Sequence, residues 1–178
     1  MKHILLVSIL VFCSSAGLVQ AEQKTVGLIE SNLKLKELTS LPVGLAVTLS
    51  PDPVIATLFS PSLSGVQWQH STTVTSLAGP LTIVEFGYFV ERNGRWEFSF
   101  GTEVPNTYTS SDFAKKYDCP GSELQPGESY TDTLNRSIID CVPEQMVKWY
   151  FIGLDPQGKR VKGEATVKML TERSERAK

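Results

Sequence analysis

Three kinds of side chain in this sequence could do chemistry: cysteines, histidines and a group of glutamates. Cys119 and Cys141 bracket the stretch YDCPGSELQPGESYTDTLNRSIIDC, in which 21 residues separate the two sulfurs. A catalytic dithiol usually has the spacing C-x-x-C. A zinc site needs three or four ligands, and the two cysteines together with His70 would make three, but nothing in their spacing favours such a site. This spacing is instead typical of a disulfide, provided that the chain leaves the reducing cytoplasm.

The first residues predict that the chain is exported. They read MKHILLVSILVFCSSAGLVQAEQK, with Lys2 and His3 ahead of a short apolar run at residues 4–12. The run is too short to span a bilayer, and small residues at Val19 and Ala21 fit a signal peptidase. We therefore expect cleavage after Ala21. The alternatives are a buried N-terminal segment and a lipoprotein acylated on Cys13, although a bulky residue precedes that cysteine.

Cleavage would determine which ionisable residues remain. Removal of residues 1–21 from the 178-residue chain leaves 157 residues, with 16 basic and 19 acidic side chains. The mature chain keeps an even pair of cysteines, so we predict a Cys119–Cys141 disulfide that contributes roughly 3 kcal/mol. The sequence has no stripe of basic residues, so we predict no nucleic-acid partner. No second apolar run in the sequence is long enough to span a membrane, so we expect a periplasmic or secreted protein.

The residue counts argue against most exported enzymes and cofactor proteins. A blue-copper site needs two histidines and a thiolate, whereas the mature chain keeps only His70. No G-x-S-x-G motif or calcium loop is present. His70 lies in WQHSTT on the predicted inner face of a strand, where a structural role is the simpler interpretation. We therefore predict no catalytic residue, no metal and no cofactor.

The glutamates leave one enzymatic alternative open. Two carboxylates beside a cleft suffice for glycoside hydrolysis, and several glutamates lie on or next to one predicted hairpin: Glu85, Glu91, Glu97 and Glu103. Glu85 stands among apolar neighbours in TIVEFGYF, where burial could raise its pKa. Strict alternation places Val84, Phe86 and Tyr88 on the bulkier face, which predicts that Glu85 points outwards.

The elements that must position these residues are short strands. Period-two alternation runs through VGLAVTL and VQWQHSTTVTSL, and two hairpins are predicted at Asn93-Gly94 and at residues 155–158. One short helix is expected in SSDFAKKYDC before Cys119, with Ser110 or Ser111 as its N-cap. We predict an all-β fold, a two-sheet antiparallel β-sandwich of the immunoglobulin-like type, with a partly closed barrel as the alternative.

This fold would occupy one domain. Its expected bounds are residues 22–170, preceded by the cleaved signal peptide 1–21 and followed by a polar flexible tail at 171–178. The stretch LQPGESYTDTL, residues 124–134, resembles segments that lead into strands of bacterial immunoglobulin-like modules. The resemblance supports the fold class and assigns no family. Asn135-Arg136-Ser137 matches the N-glycosylation pattern, but the signal peptide is of bacterial type, so we expect no sugar there.

These features predict a non-enzymatic binding protein. The partner would be a protein or a cell-envelope component, contacted by aromatic and acidic residues of the first hairpin: Trp96, Glu85 and Tyr88. Trp96 is the aromatic residue most expected to be exposed, because it lies next to the predicted turn. A carbohydrate-binding module or glycoside-active enzyme is the first alternative, and a structural accessory of a surface appendage is the second. The sequence sets neither the partner's identity nor the oligomeric state.

Overall fold

The computed structural model describes residues 28–60, 63–77, 79–98, 107–139 and 144–171, and strands dominate these ranges. This confirms the all-β class. The strands are β1 (Leu45–Ser50), β2 (Val54–Ile55), β3 (Thr57–Ser60), β4 (Leu63–Ser76), β5 (Leu81–Arg92), β6 (Arg95–Phe98), β7 (Tyr108–Thr109), β8 (Glu123–Leu124), β9 (Ser129–Ile139), β10 (Glu144–Leu154) and β11 (Arg160–Leu170). Helix α1 covers residues 28–40, α2 covers Ser110–Lys116, and a 3₁₀ turn covers Pro120–Ser122. The predicted signal peptide and most of the predicted tail lie outside the described residues.

The first sheet is built around the long strand β4. Its second half pairs with β1, where Leu45 lies opposite Ser76, and its first half pairs with β3, where Thr57 lies opposite Gln67. Strand β9 pairs with both halves of β4. Because each strand has only two edges, β9 must lie along the edge opposite β1 and β3.

The second sheet has the order β2-β11-β10-β5, and β6, β7 and β8 all pair with the far edge of β5. All its pairs are antiparallel except β2 with β11, where Val54 lies opposite Met169 in a parallel pair. The prediction of purely antiparallel sheets is therefore wrong at this edge. After β1 the proline-containing segment crosses to the second sheet for two residues and returns to the first sheet as β3.

Both predicted hairpins are confirmed. Asn93 and Gly94 connect β5 to β6 with φ angles of 54° and 75°, which this pair of residues tolerates. Between β10 and β11 the Asp155 amide donates to the Lys159 carbonyl at 3.0 Å, and the Gly158 amide donates to the Asp155 carbonyl at 2.9 Å. The predicted short helix is also present as α2. Its N-cap is Thr109, one residue before the predicted range, because Thr109 and Asp112 form a capping box.

Helix α1 was not predicted. Leu35, Leu38 and Leu41 pack against the outer face of the second sheet, on a cluster that contains Phe89 and Tyr150. This face of the helix is hard to detect in the sequence because a serine, Ser31, interrupts its apolar residues. The Ser31 hydroxyl is used structurally, since it accepts a hydrogen bond from the Phe98 amide at 2.9 Å. The second sheet is therefore covered on both faces.

The main core contains side chains from both sheets and from α2. On one side of the molecule the two sheets are joined directly, because Val43 forms a parallel bridge with Lys162 and the Gly44 amide donates to the Lys162 carbonyl at 3.0 Å. The strands approach so closely here that a Cβ added to Gly163 would lie 2.8 Å from the Leu45 carbonyl oxygen. The sheets are therefore curled together along this side, as in half of a barrel.

Strand β5 contains a bulge that changes which side chains point inwards. Ile152 lies opposite Glu85, whereas the next residue, Gly153, lies opposite Ile83, so Val84 is an extra residue. Ile83 and Phe86 are both in the main core, and Val84 packs on the outer cluster beside α1. The strict alternation predicted for Ile83 and Val84 is therefore wrong, while Glu85 does point outwards as expected.

Candidate functional site

Glu85 lies in an ionic cluster between the outer face of the second sheet and α1. Lys34 of α1 places its Nζ 2.7 Å from one carboxylate oxygen of Glu85, and the Tyr150 hydroxyl donates to the same oxygen at 2.9 Å. Arg160 of β11 lies 3.9 Å from the other oxygen. The Tyr150 ring fits against Gly87 of the neighbouring strand, where an added Cβ would be only 3.0 Å from the ring.

The second carboxylate of this cluster belongs to Glu37. It pairs with Lys34 at 2.7 Å and also with Arg160. Burial acts to raise the pKa of Glu37, but the neighbouring cations Lys34 and Arg160 lower it overall. Burial likewise acts to lower the pKa of Lys34, and its two carboxylate partners raise it overall. These charges stabilise one another, and none of the described features makes Glu37 a general acid, which would need a raised pKa.

The other two predicted contact residues lie apart from Glu85. Trp96 is half-buried on the outer cluster, where Lys148 Nζ sits 4.6 Å from the ring centroid. Tyr88 points to the inner face and its ring lies 4.8 Å from that of Trp149. Among the described residues the large apolar side chains that are exposed are all aliphatic: Ile29, Leu33, Val43, Leu77 and Leu134. No aromatic ring with a described side chain is fully exposed, and four of them are half-buried: Tyr88, Trp96, Tyr108 and Tyr130.

Cys119 is buried at the end of α2. Its sulfur contacts the Glu123 carbonyl oxygen at 3.4 Å, and burial raises the pKa of the Cys119 thiol. A raised pKa reduces the thiolate fraction, which argues against a nucleophilic or redox-catalytic cysteine. Cys141 lies outside the described residues, so the predicted disulfide stays a prediction.

A set of polar side chains lies in the main core between the sheets. We call it the polar core cluster; its members are His70 and Thr72 of β4, Asp132 and Asn135 of β9, and Tyr117 at the end of α2. The strand register brings the first four together, because His70 lies opposite Asn135 and Thr72 lies opposite Asp132. Each of the five is at least nine-tenths buried.

The hydrogen bonds of this cluster are incomplete. Asn135 donates to the Thr72 hydroxyl at 2.7 Å, and the Trp149 indole N–H donates to His70 Nε2 at 3.1 Å. Two buried polar atoms have no hydrogen-bond partner in the described part of the chain, His70 Nδ1 and Asp132 Oδ2. The Tyr117 hydroxyl has no well-aligned hydrogen bond, although Asn135 and Thr72 act on it. Asp132 Oδ2 does form an ion pair with Lys116 Nζ at 3.4 Å. Unsatisfied buried groups are costly and call for an explanation.

Sequence reasoning found only His70 of this cluster. Strict alternation along β9 would place Asp132 and Asn135 on opposite faces, but a bulge of two exposed residues, Thr133 and Leu134, separates them. Asp132 supports the bulge itself, since its Oδ1 accepts from the Leu134 amide at 2.9 Å. Asn135, which matches the N-glycosylation pattern although no sugar is expected there, is buried in the folded protein.

No described feature supports a cofactor site. No group of three or more histidine, cysteine, aspartate or glutamate side chains that could hold a metal ion occurs in the described ranges. A shallow cleft beside the β10–β11 turn includes two acidic residues, Glu123 and Asp155. Asp155 stabilises the β10–β11 turn, because its Oδ1 accepts hydrogen bonds from the Gln157 and Lys159 amides at 2.9 and 2.8 Å. None of the described helices is long and apolar enough to span a membrane.

Strand β9 offers an edge that no described strand occupies. The Ser76 amide donates to the Glu128 carbonyl at 3.2 Å, and the Ser76 carbonyl accepts from the Gly127 amide at 2.8 Å, so both backbone groups of Ser76 face the chain that leads into β9. Hydrogen-bonded and non-bonded pairs alternate in an antiparallel ladder, so the N–H and C=O groups of Ser129 and Thr131 point away from β4. In the described part of the chain these groups have no backbone partner.

The outer face next to this edge carries hydroxyl groups. Thr73 pairs with Thr131 at 2.8 Å between their hydroxyl oxygens, and Thr75 pairs with Ser129 at 2.7 Å. Such cross-strand pairs stabilise a sheet modestly. The bulge in β9 exposes one large apolar side chain, Leu134, which is 68% exposed.

Comparisons with known proteins give structural similarity only. No family model matches the sequence, and no curated protein is significantly similar to it. A crystal structure of a Bordetella pertussis protein provisionally assigned as ApaA is 13% identical, covers 75% of this chain and 98% of that chain, and has a TM-score of 0.48. A structural-genomics target named SoR45 is 12% identical, covers 75% and 92% respectively, and has a TM-score of 0.49. Neither is similar enough to transfer a function.

Proposed function

We propose that this chain is an exported, non-enzymatic β-sandwich of the immunoglobulin-like type that binds another protein along the free edge of β9. The observation that carries the proposal is the edge itself. β9 is 11 residues long, and the outward backbone groups at Ser129 and Thr131 have no described partner. Adding a strand from another chain would satisfy these groups, which is the basis of recognition by β-augmentation.

The strand order supports the immunoglobulin-like assignment. The orders β1-β4-β9 and β5-β10-β11 match strands A-B-E and C-F-G of immunoglobulin domains. Short edge strands elsewhere make β9 stand out, since β6, β7 and β8 have four, two and two residues. Short strands are poor templates for further pairing.

The chemistry of the acidic residues supports a non-enzymatic role. Glu85, the candidate for glycoside chemistry, is held by Lys34 and Tyr150, and the nearby Glu37 has a lowered pKa. Hydrolysis of a glycoside needs one carboxyl group with a raised pKa. The large apolar side chains that are exposed in the described part are aliphatic, which gives no support to a carbohydrate-binding module.

Site-specific photo-crosslinking in the native host tests the partner. A benzophenone amino acid at Leu134 should give a discrete cross-linked band that contains one other protein. Val43 is the matched control, because it is also 68% exposed but lies where the two sheets join. A band from Val43 and none from Leu134 would contradict the proposal.

A backbone variant tests whether the edge itself is used. Thr131→Pro removes an outward N–H that β4 does not need, and proline is tolerated on sheet edges. Thr131→Val is the control, since both variants lose the hydroxyl contact with Thr73 but only the proline loses the N–H. We expect the Leu134 cross-link to disappear in the proline variant and to persist in the valine variant. Persistence in both would show that the partner binds elsewhere.

Export is tested separately. Intact mass spectrometry of the protein recovered from the periplasm or medium should give a chain that begins at Glu22. A lipid retained on Cys13 would place the protein on a membrane surface and would contradict both the cleavage site and the localisation.

A further inference from the structure

The hydrogen bond between His70 and Trp149 connects the two sheets through the core. His70 lies on β4 and Trp149 on β10, and the two side chains are 3% and 5% exposed. In the strand correspondence given above, β4 and β10 match strands B and F, the pair that a disulfide joins in antibody domains. Here a titratable side chain makes the connection between the same two strands.

The direction of this hydrogen bond fixes the protonation state of His70. The indole N–H of Trp149 can only donate, so His70 Nε2 must accept through its lone pair at 3.1 Å. The imidazole is therefore neutral, with its proton on Nδ1. A protonated imidazole has a hydrogen on both nitrogens and accepts from neither. The Trp149 bond and the second proton thus exclude each other.

The polar core cluster provides a different partner for the charged imidazole. Asp132 Oδ2 is buried without a hydrogen bond, and its charge acts on His70. The other titratable or charged groups facing this region are Tyr117 at the end of α2, Tyr108 of β7, which acts on Tyr117, and Lys116 of α2, which pairs with Asp132. Of these groups, only Asp132 attracts a cation.

We propose that His70 is an acid-operated latch between the two sheets. While it is neutral, the imidazole accepts from Trp149 and holds β4 against β10. When Nε2 takes a proton from solvent, the imidazole releases Trp149 and its N–H turns to Asp132. Lys116 then shares its carboxylate partner with a second cation, which loosens the attachment of α2 to β9.

The electrostatics set the pH range in which the latch opens. Burial lowers the pKa of His70 from its ordinary 6.5, and the charge of Asp132 opposes this only in part. Because the folded protein binds this proton less readily than the unfolded chain, the stability from neutral His70 is present above pH 6.5. It is lost as the pH falls through the lowered pKa. The latch therefore opens on the acidic side of pH 6.5.

Nuclear magnetic resonance of the chain that begins at Glu22 tests the latch, because His70 is then its only histidine. The imidazole nitrogens should show the Nδ1–H tautomer at pH 8 and one titration with a midpoint below 6.5. The indole N–H resonance of Trp149 should shift with the same midpoint, while near-ultraviolet circular dichroism still reports a folded protein. An Nε2–H tautomer, a midpoint at or above 6.5, or protonation that coincides with global unfolding would each overturn the proposal.

Two variants separate the latch from a merely buried histidine. Trp149→Phe removes the donor that favours the neutral imidazole, so the midpoint of His70 should rise. Asp132→Asn removes the attracting charge, so the midpoint should fall. An unchanged midpoint in both folded variants would show that neither side chain is a partner of His70, and the proposal would fail. Since Trp149→Phe leaves β9 unchanged, cross-linking at Leu134 in that variant reports on the proposed function independently.

Discussion

The bulge in β5 makes a prediction that distinguishes adjacent side chains. Ile83 and Phe86 are both fully buried in the main core, whereas Val84 between them is half-buried on the outer cluster. An unbroken strand would instead place Val84 and Phe86 on one face and Ile83 on the other. Truncation of Ile83 and Val84 to alanine therefore tests the bulge.

The magnitudes follow from burial and from the atoms removed. Ile83→Ala should cost roughly 2–5 kcal/mol of unfolding free energy, as buried isoleucines do. Val84→Ala removes two half-buried carbons and should cost about 1 kcal/mol at ~0.8 kcal/mol per fully buried methylene. Phe86→Ala should cost roughly 3–5 kcal/mol, because its ring contacts several others, including Tyr108 at 4.8 Å and Phe151 at 5.4 Å between centroids.

Glu85→Gln provides the polar comparison on the same strand. The amide oxygen can still accept from Tyr150, but the attraction to Lys34 and Arg160 is lost. The Glu85 side chain is 21% exposed, so the pair with Lys34 is worth more than an open surface ion pair. We expect a cost of about 1–2 kcal/mol, near the value for a hydrogen bond to a charged group.

Urea denaturation of the four variants, analysed by linear extrapolation, measures these differences. The expected order of destabilisation places Ile83→Ala and Phe86→Ala well above Glu85→Gln and Val84→Ala. If Val84→Ala costs more than Ile83→Ala, the strand has no bulge at this point and the described face assignment is wrong. Should Phe86→Ala fail to fold, Phe86→Leu gives the same comparison at smaller cost.

Two further predictions concern the Cys119–Cys141 disulfide and the close approach of the two sheets. Thiol titration of the denatured, unreduced mature protein should find no free thiol, and two free thiols would refute the disulfide. Cys141→Ser should lower the thermal midpoint and the unfolding free energy, the latter by roughly 3 kcal/mol, without changing the strand content. Gly163→Ala should destabilise strongly, because the new Cβ would lie 2.8 Å from the Leu45 carbonyl oxygen, whereas Gly79→Ala meets nothing within 4 Å and should be neutral or slightly stabilising. Equal thermal midpoints for the two alanine variants would contradict the close approach of the strands.

Local signals in the sequence predicted those elements that depend on local chemistry. The Asn93-Gly94 and 155–158 turns were predictable because few residue pairs tolerate those backbone angles. Helix α2 was predictable from its capping and charged residues, although Thr109 replaced the expected N-cap. Strand alternation predicted the all-β class, because strands such as β4 bury one face and leave the other face more open to solvent.

The features that were missed depend on contacts between distant segments. The bulges at Val84 and at residues 133–134 shift side chains from one face to the other, and nothing local marks them. The polar core cluster could not be predicted from the sequence for this reason, since it forms only when the β9 bulge turns Asn135 inwards. Helix α1 was missed because the packing side of the helix includes Ser31, whose partner Phe98 is 67 residues away.

The uneven lengths of the edges determine how many partners the molecule could hold. In the described part of the chain, the other strands at sheet edges have six residues or fewer, and the outer edge of the longer β11 is covered in part by β2, by residues 42–44 and by Asp52. A strand added to β9 therefore has no equally long edge on the opposite side from which a further copy could continue the sheet. Assembly through this edge would terminate after one addition, with a stoichiometry of one to one. Growth into an open filament requires two complementary surfaces on each subunit, and the described strands provide only one.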